Sequence, residues 1–266
     1  MAALPDAISH LQERWRLSLG LPFDHEYVSC AWVAPATLPD GTRAVLKLGM
    51  PHMEGEQEIE GLRFWDGDGC VRLLASDSAM NAMLLERCDP GTPLLSVPEE
   101  EQDELIAAML KRLWRTPPPG NFRQLSTLLA SWRHETLAAA DRWADAALVT
   151  AGLEVLERLA GSAPGEDQVL LVTDLHGGNV LRAQREPWLM IDPKPFVGDR
   201  AYDVTQHLFN CEGRLLADPM ALVSRMAHLS NVDPERVRLW TFARATAEPR
   251  NDWSNWKLEV ARRLAG

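Results

Sequence analysis

Cysteine is scarce in this chain and poorly spaced for chemistry. Cys30, Cys70, Cys88 and Cys211 are its four cysteines, and they form no C-x-x-C pair and have no histidine at metal-ligand spacing. Zinc binding is therefore disfavoured, and reduced core thiols are the expected state. No apolar run approaches membrane-spanning length, and the first residues, MAALPDAISHLQERW, lack the basic and apolar regions of a leader. A cytoplasmic protein with no membrane partner is expected. Positive charge is also short: 27 Lys and Arg face 38 Asp and Glu, for a formal charge of -11 and a pI near 5.1. That balance disfavours nucleic acid and anionic surfaces, and it suits either plain solubility or a polycationic small ligand.

Internal repeats are absent, and the only low-complexity feature is the break Pro117-Pro118-Pro119-Gly120. Neither G-x-G-x-x-G nor the phosphate loop G-x-x-x-x-G-K occurs in the early hairpin described below. What is present is ordinary globular material, 46% hydrophobic and 24% charged over 266 residues, enough for one large domain or two lobes.

Helical spacing of Ile8, Leu11, Trp15 and Leu19 predicts a leading helix that Gly20 and Pro22 end. Residues 26–34 and 42–48 read as strands around the turn Pro39-Asp40-Gly41, and 71–75 and 82–86 as two more. Lys47 is the only lysine before position 111 and lies in the strand-like run Ala44-Val45-Leu46-Lys47-Leu48. Its stem would lie among apolar neighbours, so the ammonium needs an anionic partner. The helix predicted over 54–65 offers Glu54, Glu56, Glu58 and Glu60. Beyond Asp89-Pro90-Gly91 the pattern becomes helical, over 99–114, 125–143 and 146–159, then 219–229, 234–247 and 253–264. This change in character puts a lobe boundary after residue 88, giving lobes 1–88 and 89–266.

The stretch from Val169 to Asp203, VLLVTDLHGGNVLRAQREPWLMIDPKPFVGDRAYD, carries the chemistry. One apolar run delivers Asp174, with Asn179 five positions on; a second, from Trp188 to Ile191, delivers Asp192. The two runs read as a catalytic hairpin joined by a tight turn. Phosphoryl transfer needs placement more than covalent help: a carboxylate to orient an attacking hydroxyl and oxygen ligands for Mg²⁺ on the nucleotide phosphates. Asp174 suits the first task, and Asn179 and Asp192 the second. His176 lies inside the turn, where a loop-stabilising hydrogen bond is the preferred reading. Gly177-Gly178 is expected to allow a backbone conformation that side chains resist. Asp199 is placed to cap the following helix.

The spacing D-x-x-x-x-N followed by a second Asp resembles protein kinases. The wording Val172-Thr173-Asp174-Leu175-His176-Gly177-Gly178-Asn179, then Ile191-Asp192-Pro193-Lys194, resembles the aminoglycoside phosphotransferase family more closely. Within that family, IDPKPFVGDRAYD with QHLFNC after it is similar to the streptomycin 6-phosphotransferase and hydroxyurea phosphotransferase branch. Where the wider family has His-Gly, this chain has Val172-Thr173, and the family's Pro is replaced by Arg200.

The resemblance implies an α+β, two-lobed protein-kinase-like fold, with a small N-terminal antiparallel sheet lobe that binds nucleotide and a larger, mostly helical catalytic and substrate lobe. It implies ATP (or GTP) and Mg²⁺ as cofactors, with Lys47 on the phosphates and Glu58, four before Leu62, holding that lysine. Ser29, in the first hairpin, would help to cover the phosphates. Backbone groups around Glu86 to Cys88 would meet the purine edge. Glu248 and Asp252, near C-terminal helices that wall the acceptor site in the family, would receive amine or guanidinium groups. The implied activity is phosphorylation of a hydroxyl on a small cationic aminocyclitol antibiotic, streptomycin at its 6-hydroxyl, by a monomer. Two rivals stand beside it: a kinase for another small hydroxyl compound such as a sugar, an amino sugar or hydroxyurea, and a nucleotide-binding pseudokinase. A protein-serine kinase is disfavoured because D-F-G and A-P-E are missing.

Overall fold

The computed structural model describes residues 4–23, 30–50, 53–162, 168–249 and 255–265. The chain divides into two compact units, Met1–Pro93 with Val180–Lys194 and Leu94–Asn179 with Pro195–Gly266. This differs from a division at residue 88: the first unit runs on to Pro93 and gains a later hairpin, which composition along the chain does not reveal.

The first unit is built on an antiparallel sheet of five strands, β1 (Ser18–Leu19), β2 (Ala31–Thr37), β3 (Arg43–Gly49), β4 (Leu73–Asp77) and β5 (Ala82–Glu86), in the order β1-β2-β3-β5-β4. β2 runs through Pro35, which pairs with Val45. Regular pairing by β1 reaches only Ala36 and Thr37; beyond it Pro35 accepts from the Gly20 N–H at 2.8 Å, a bond that needs no donor from the proline. Alternation along β3 sends Ala44, Leu46 and Leu48 into one buried cluster with Leu11 and Leu17. Leu11 belongs to helix α1 (Leu4–Trp15). Lys47 therefore points to the opposite face, towards helix α2 (Glu58–Trp65), whose Ile59, Leu62 and Trp65 are buried. That helix begins at Glu58; a short 3₁₀ turn, Met53–Gly55, precedes it in place of the continuous helix predicted from residue 54.

The predicted catalytic hairpin is corrected. The strand leading to Asp174, β6 (Gln168–Leu171), does not pair with the one leading to Asp192, β8 (Trp188–Met190). Another strand, β7 (Val180–Arg182), intervenes and pairs with β8 in the first unit, while β6 pairs with β9 (Phe196–Asp199) in the second. Val180 and Leu181 supply too short an apolar run to announce a strand of their own.

Helices α3 (Glu99–Leu113), α4 (Leu125–Ala138), α5 (Ala146–Ala160), α6 (Arg200–Asn210), α7 (Glu212–Ala217), α8 (Pro219–Ser230), α9 (Pro234–Ala247) and α10 (Asn255–Leu264) make up most of the second unit. Acidic Glu99, Glu100 and Glu101 occupy the first turn of α3, where the helix dipole favours them. Asp218-Pro219 and Asp233-Pro234 start α8 and α9, each aspartate accepting a backbone N–H and each proline taking a first-turn position that needs no donor. Close approach of α5 and α9 requires Gly152, because a Cβ there would lie 1.8 Å from Thr246 Oγ1. Among the described residues no helix is long and apolar enough to cross a membrane.

Candidate active site

In the first unit the sheet and α2 bring Lys47, Glu58 and Asp192 together. Lys47 Nζ lies 2.7 Å from both carboxylate oxygens of Glu58 and also donates to Asp192 Oδ1. Burial alone would pull the ammonium's pKa down; Glu58 and Asp192 outweigh it and hold the lysine above its ordinary value. Burial pushes the Glu58 carboxyl up, and the Lys47 ammonium opposes that rise. Among the helix's carboxylates Glu58 is buried, whereas Glu60 is half-buried and 3.7 Å from Arg63. The side chain of Glu54 is outside the described set. Asp192 follows β8 with φ 52°, a left-handed backbone that a non-glycine residue adopts at a cost of about 1–3 kcal/mol. Its side chain remains 39% exposed, so the carboxylate is accessible while Lys47 and Glu58 are not.

The Glu86–Cys88 segment ends β5. Within it the Glu86 N–H donates to the Arg72 carbonyl at 2.9 Å. The Glu86 carboxylate is also engaged, with Arg185 Nε at 3.0 Å and the Arg72 backbone N–H at 3.0 Å. Arg185 in addition donates to the Gly67 and Cys70 carbonyls, tying the β7–β8 turn to the end of β5. Burial raises the Cys88 thiol to about 12, so it is a neutral side chain at this site. Ser29 lies outside the described residues.

In the second unit Asp174 lies three residues beyond the end of β6. Its Oδ1 accepts from Gln206 Nε2 at 2.8 Å, and its backbone carbonyl accepts from Asn179 Nδ2 at 3.0 Å. With the amide nitrogen of Asn179 so committed, its oxygen is the side chain's remaining donor atom for a cation. An amide oxygen is a hard donor of the kind that Mg²⁺ takes.

His176 Nδ1 accepts from the Gly178 N–H at 3.1 Å, and its Nε2 is 3.9 Å from Asp174 Oδ1. Neither Gly177 nor Gly178 has positive φ among the recorded positions, which corrects the reason given for them. Space is what they supply: a Cβ on Gly177 would lie 2.6 Å from Gln102 Oε1, and one on Gly178 2.8 Å from His176 Cε1.

The loop's strained residue is Thr173, at φ 56°. Asp203, fully buried on α6, secures it by accepting from the Val172 N–H at 2.9 Å, the Thr173 N–H at 2.6 Å and Trp114 Nε1 at 2.9 Å. Burial raises Asp203 to about 6 despite those donors. Asp199 caps α6 through the Ala201 N–H at 2.9 Å and also accepts from Trp240 Nε1 at 2.6 Å and from Arg236.

Glu248 sits just after α9, paired with Arg244 at 3.1 Å and mostly buried. Its charge is thus already balanced within the protein, which an isolated loop carboxylate would not be. Asp252 is outside the described residues. Sequence reasoning missed Gln206, Arg244 and Arg185, because a Gln or Arg on a helix or turn carries no spacing signature. For Asp203 a signal exists: it stands three residues before Gln206 on one face of α6. Asp103, His207 and Cys211 also cluster, with ligand-type atoms within 4.8 Å of one another, which corrects the reading that no histidine stands at ligand spacing from a cysteine: His207 is four residues before Cys211. Asp103 spends its oxygens on His207 at 2.9 Å, Arg214 at 2.7 Å and Arg225 at 2.8 Å, which makes this a buried ionic node.

The fold is that of the protein-kinase-like phosphotransferases. The crystal structure of spectinomycin phosphotransferase in complex with ADP and spectinomycin matches with a TM-score of 0.58 and 14% identity, covering 99% of this chain and 94% of that one. A family model for aminoglycoside/hydroxyurea antibiotic resistance kinases matches residues 18–251, and the chain belongs to that family. Streptomycin 6-kinase of Streptomyces glaucescens is 36% identical over 255 residues, 92% of this chain and 81% of the relative. Hydroxyurea phosphotransferase of Kitasatospora aureofaciens is 36% identical over 244 residues, 91% of this chain and 71% of the relative.

Proposed function

We propose that the chain transfers the γ-phosphoryl group of ATP to a hydroxyl of a small cationic aminocyclitol, streptomycin at its 6-hydroxyl, and so confers resistance. The observation that carries phosphoryl transfer is the buried Lys47 ammonium, shared by Glu58 and Asp192 on the α2 face of the sheet. A lysine so fixed is a preorganised donor for phosphate oxygens. Asp174 accepts or orients the proton of the acceptor hydroxyl as its oxygen bonds to the γ-phosphorus and the bond to the bridging oxygen of ADP breaks. Asn179 and Asp192 would hold Mg²⁺, whose contribution is to neutralise charge on the phosphates. Residues 1–93 with the 180–194 hairpin supply the nucleotide side, and the helical unit supplies the acceptor side. The pI near 5.1 is consistent with a cationic acceptor. A monomer suffices for this chemistry.

Hydroxyurea is the second reading, favoured by an identity of 36% to a hydroxyurea phosphotransferase, equal to that of the streptomycin enzyme. An ADP-release assay across streptomycin, other aminoglycosides, sugars and hydroxyurea separates the two. Turnover of streptomycin together with resistance on expression is expected. Streptomycin inert beside an active hydroxyurea arm would overturn the substrate assignment.

A further inference from the structure

Asp174 does not stand alone on its loop: a line of polar groups runs behind it through the helical unit. Gln206 Nε2 donates to Asp174 Oδ1 at 2.8 Å, Arg244 Nη2 donates to Gln206 Oε1 at 2.9 Å, and Arg244 Nε donates to Glu248 Oε2 at 3.1 Å. Arg244 is itself held: its Nη1 donates to Thr205 Oγ1 at 2.7 Å, and its guanidinium lies 5.0 to 5.7 Å from the ring centroids of Tyr202, Phe209 and Trp132. With 5% of its side chain exposed, this arginine is enclosed by those partners.

The order of atoms in this line is fixed by chemistry. A guanidinium has donors only, so the Gln206 atom that faces it must be the carbonyl oxygen. The amide NH₂ is then forced towards Asp174, which can only accept. Turning the amide over would set donor against donor at one end and acceptor against acceptor at the other. Arg244 thus acts as a key that makes Gln206 a one-way donor.

We infer that Gln206 is a positioning residue for phosphoryl transfer: polarised and oriented by Arg244, it holds the Asp174 carboxylate in the rotamer from which it meets the acceptor hydroxyl. This rests on the role of Asp174 proposed above and adds a requirement to it. Glu248 enters as the counter-charge of Arg244, the last member of the line, rather than as a direct ligand of the acceptor. Small misplacement of a catalytic group costs on the order of 10²-fold in rate, so loss of this contact should register chiefly in kcat.

The test uses the full chain and steady-state ADP release, with wild type, Asp174→Asn, Gln206→Met and Gln206→Glu compared over the acceptor panel. Methionine keeps the shape and loses both hydrogen bonds. Glutamate keeps, and strengthens, the link to Arg244 but presents an oxygen to Asp174 in place of the donor. Gln206→Met is expected to lower kcat about 10- to 100-fold with the KM for ATP within about twofold of wild type. Gln206→Glu should lose at least as much kcat while its melting temperature stays at or above that of Gln206→Met.

A purely structural glutamine would let Gln206→Glu keep wild-type kcat, and that result overturns the inference, as does wild-type kcat in Gln206→Met. Asp174→Asn separates the two levels. If it stays active, or if wild type is inert with every acceptor, the proposed function fails and the inference with it. If Asp174→Asn is dead while both Gln206 variants turn over normally, only the positioning role fails.

Discussion

Replacing Lys47 by methionine tests whether the charged trio of the sheet lobe exists for stability or for chemistry. The Lys47 and Glu58 side chains are 10% and 5% exposed, and the ammonium is 2.7 Å from both Glu58 oxygens. Removing the lysine leaves Glu58 buried without its counter-charge, a loss of about 3–5 kcal/mol by the usual cost of breaking a buried pair. Asp192, 39% exposed, regains water and adds little. For a chain of this size that corresponds to a fall in Tm of roughly 6–20 °C. Replacing both partners by apolar residues of similar volume, Lys47→Met with Glu58→Met, should return stability to within about 1 kcal/mol of wild type or above it, because neither desolvation penalty remains.

The pH dependence has a defined sign. In Lys47→Met the Glu58 carboxyl is raised further above its ordinary value of 4.5 by burial, with no ammonium to oppose it. Folding then takes up protons above about pH 4.5, so the penalty is small at pH 5 and grows as pH rises through the elevated folded value. Thermal and urea unfolding of wild type, Lys47→Met, Glu58→Met and the double variant, at pH 5 and pH 8, measure this directly. Nucleotide turnover should be lost in both the single and the double variant, by on the order of 10²-fold or more. A double variant as unstable as Lys47→Met, or a Lys47→Met protein with an unchanged KM for ATP, would refute the reasoning.

Other consequences follow from the helical unit. Asp103 is buried, which favours its protonated form, yet His207, Arg214 and Arg225 hold its carboxyl well below the usual carboxylate range. Its contribution is therefore complete above the unfolded value near 3.8 and is lost as pH falls towards the folded one; the urea midpoint should drop between pH 5 and pH 3, and less steeply in Asp103→Asn. Gly152→Ala drives a methyl to 1.8 Å from Thr246 Oγ1 at the α5–α9 contact and should cost about 1–3 kcal/mol or more in urea unfolding. Gly213→Ala meets nothing within 4 Å, inside α7, and should stabilise by about 0.4–1 kcal/mol in the same measurement. Asp203→Ala strands the Trp114, Val172 and Thr173 donors and releases the left-handed Thr173, so kcat should fall together with Tm.

Much of the fold was legible because its elements are strongly patterned. The alternation Ala44, Leu46, Leu48 announces β3 and puts Lys47 on the other face, and the spacing Ile59, Leu62, Trp65 announces α2, whereas the choice of Glu58 among four carboxylates rests on the family resemblance. What escaped notice has a physical reason in each case. β7 was too short to read, so β6 and β8 looked like partners when each pairs elsewhere. Gly177 and Gly178 answer to Gln102, Leu95 and His176, neighbours that only the folded chain assembles, and not to backbone φ. Gln206 and Arg244 owe their roles to atoms 32 and 38 residues away along the chain, in a helix pair whose polar residues look like ordinary surface positions when read in line.

The central claim is that Asp174 serves transfer of phosphate to streptomycin. Steady-state ADP release with streptomycin, measured for wild type beside Asp174→Asn, tests it most directly. Streptomycin-dependent turnover is expected in the wild type, with a loss of at least about 10²-fold in the variant and the fold intact by thermal melting. No streptomycin-dependent ADP release from the wild type, or near-wild-type turnover by Asp174→Asn, would contradict it.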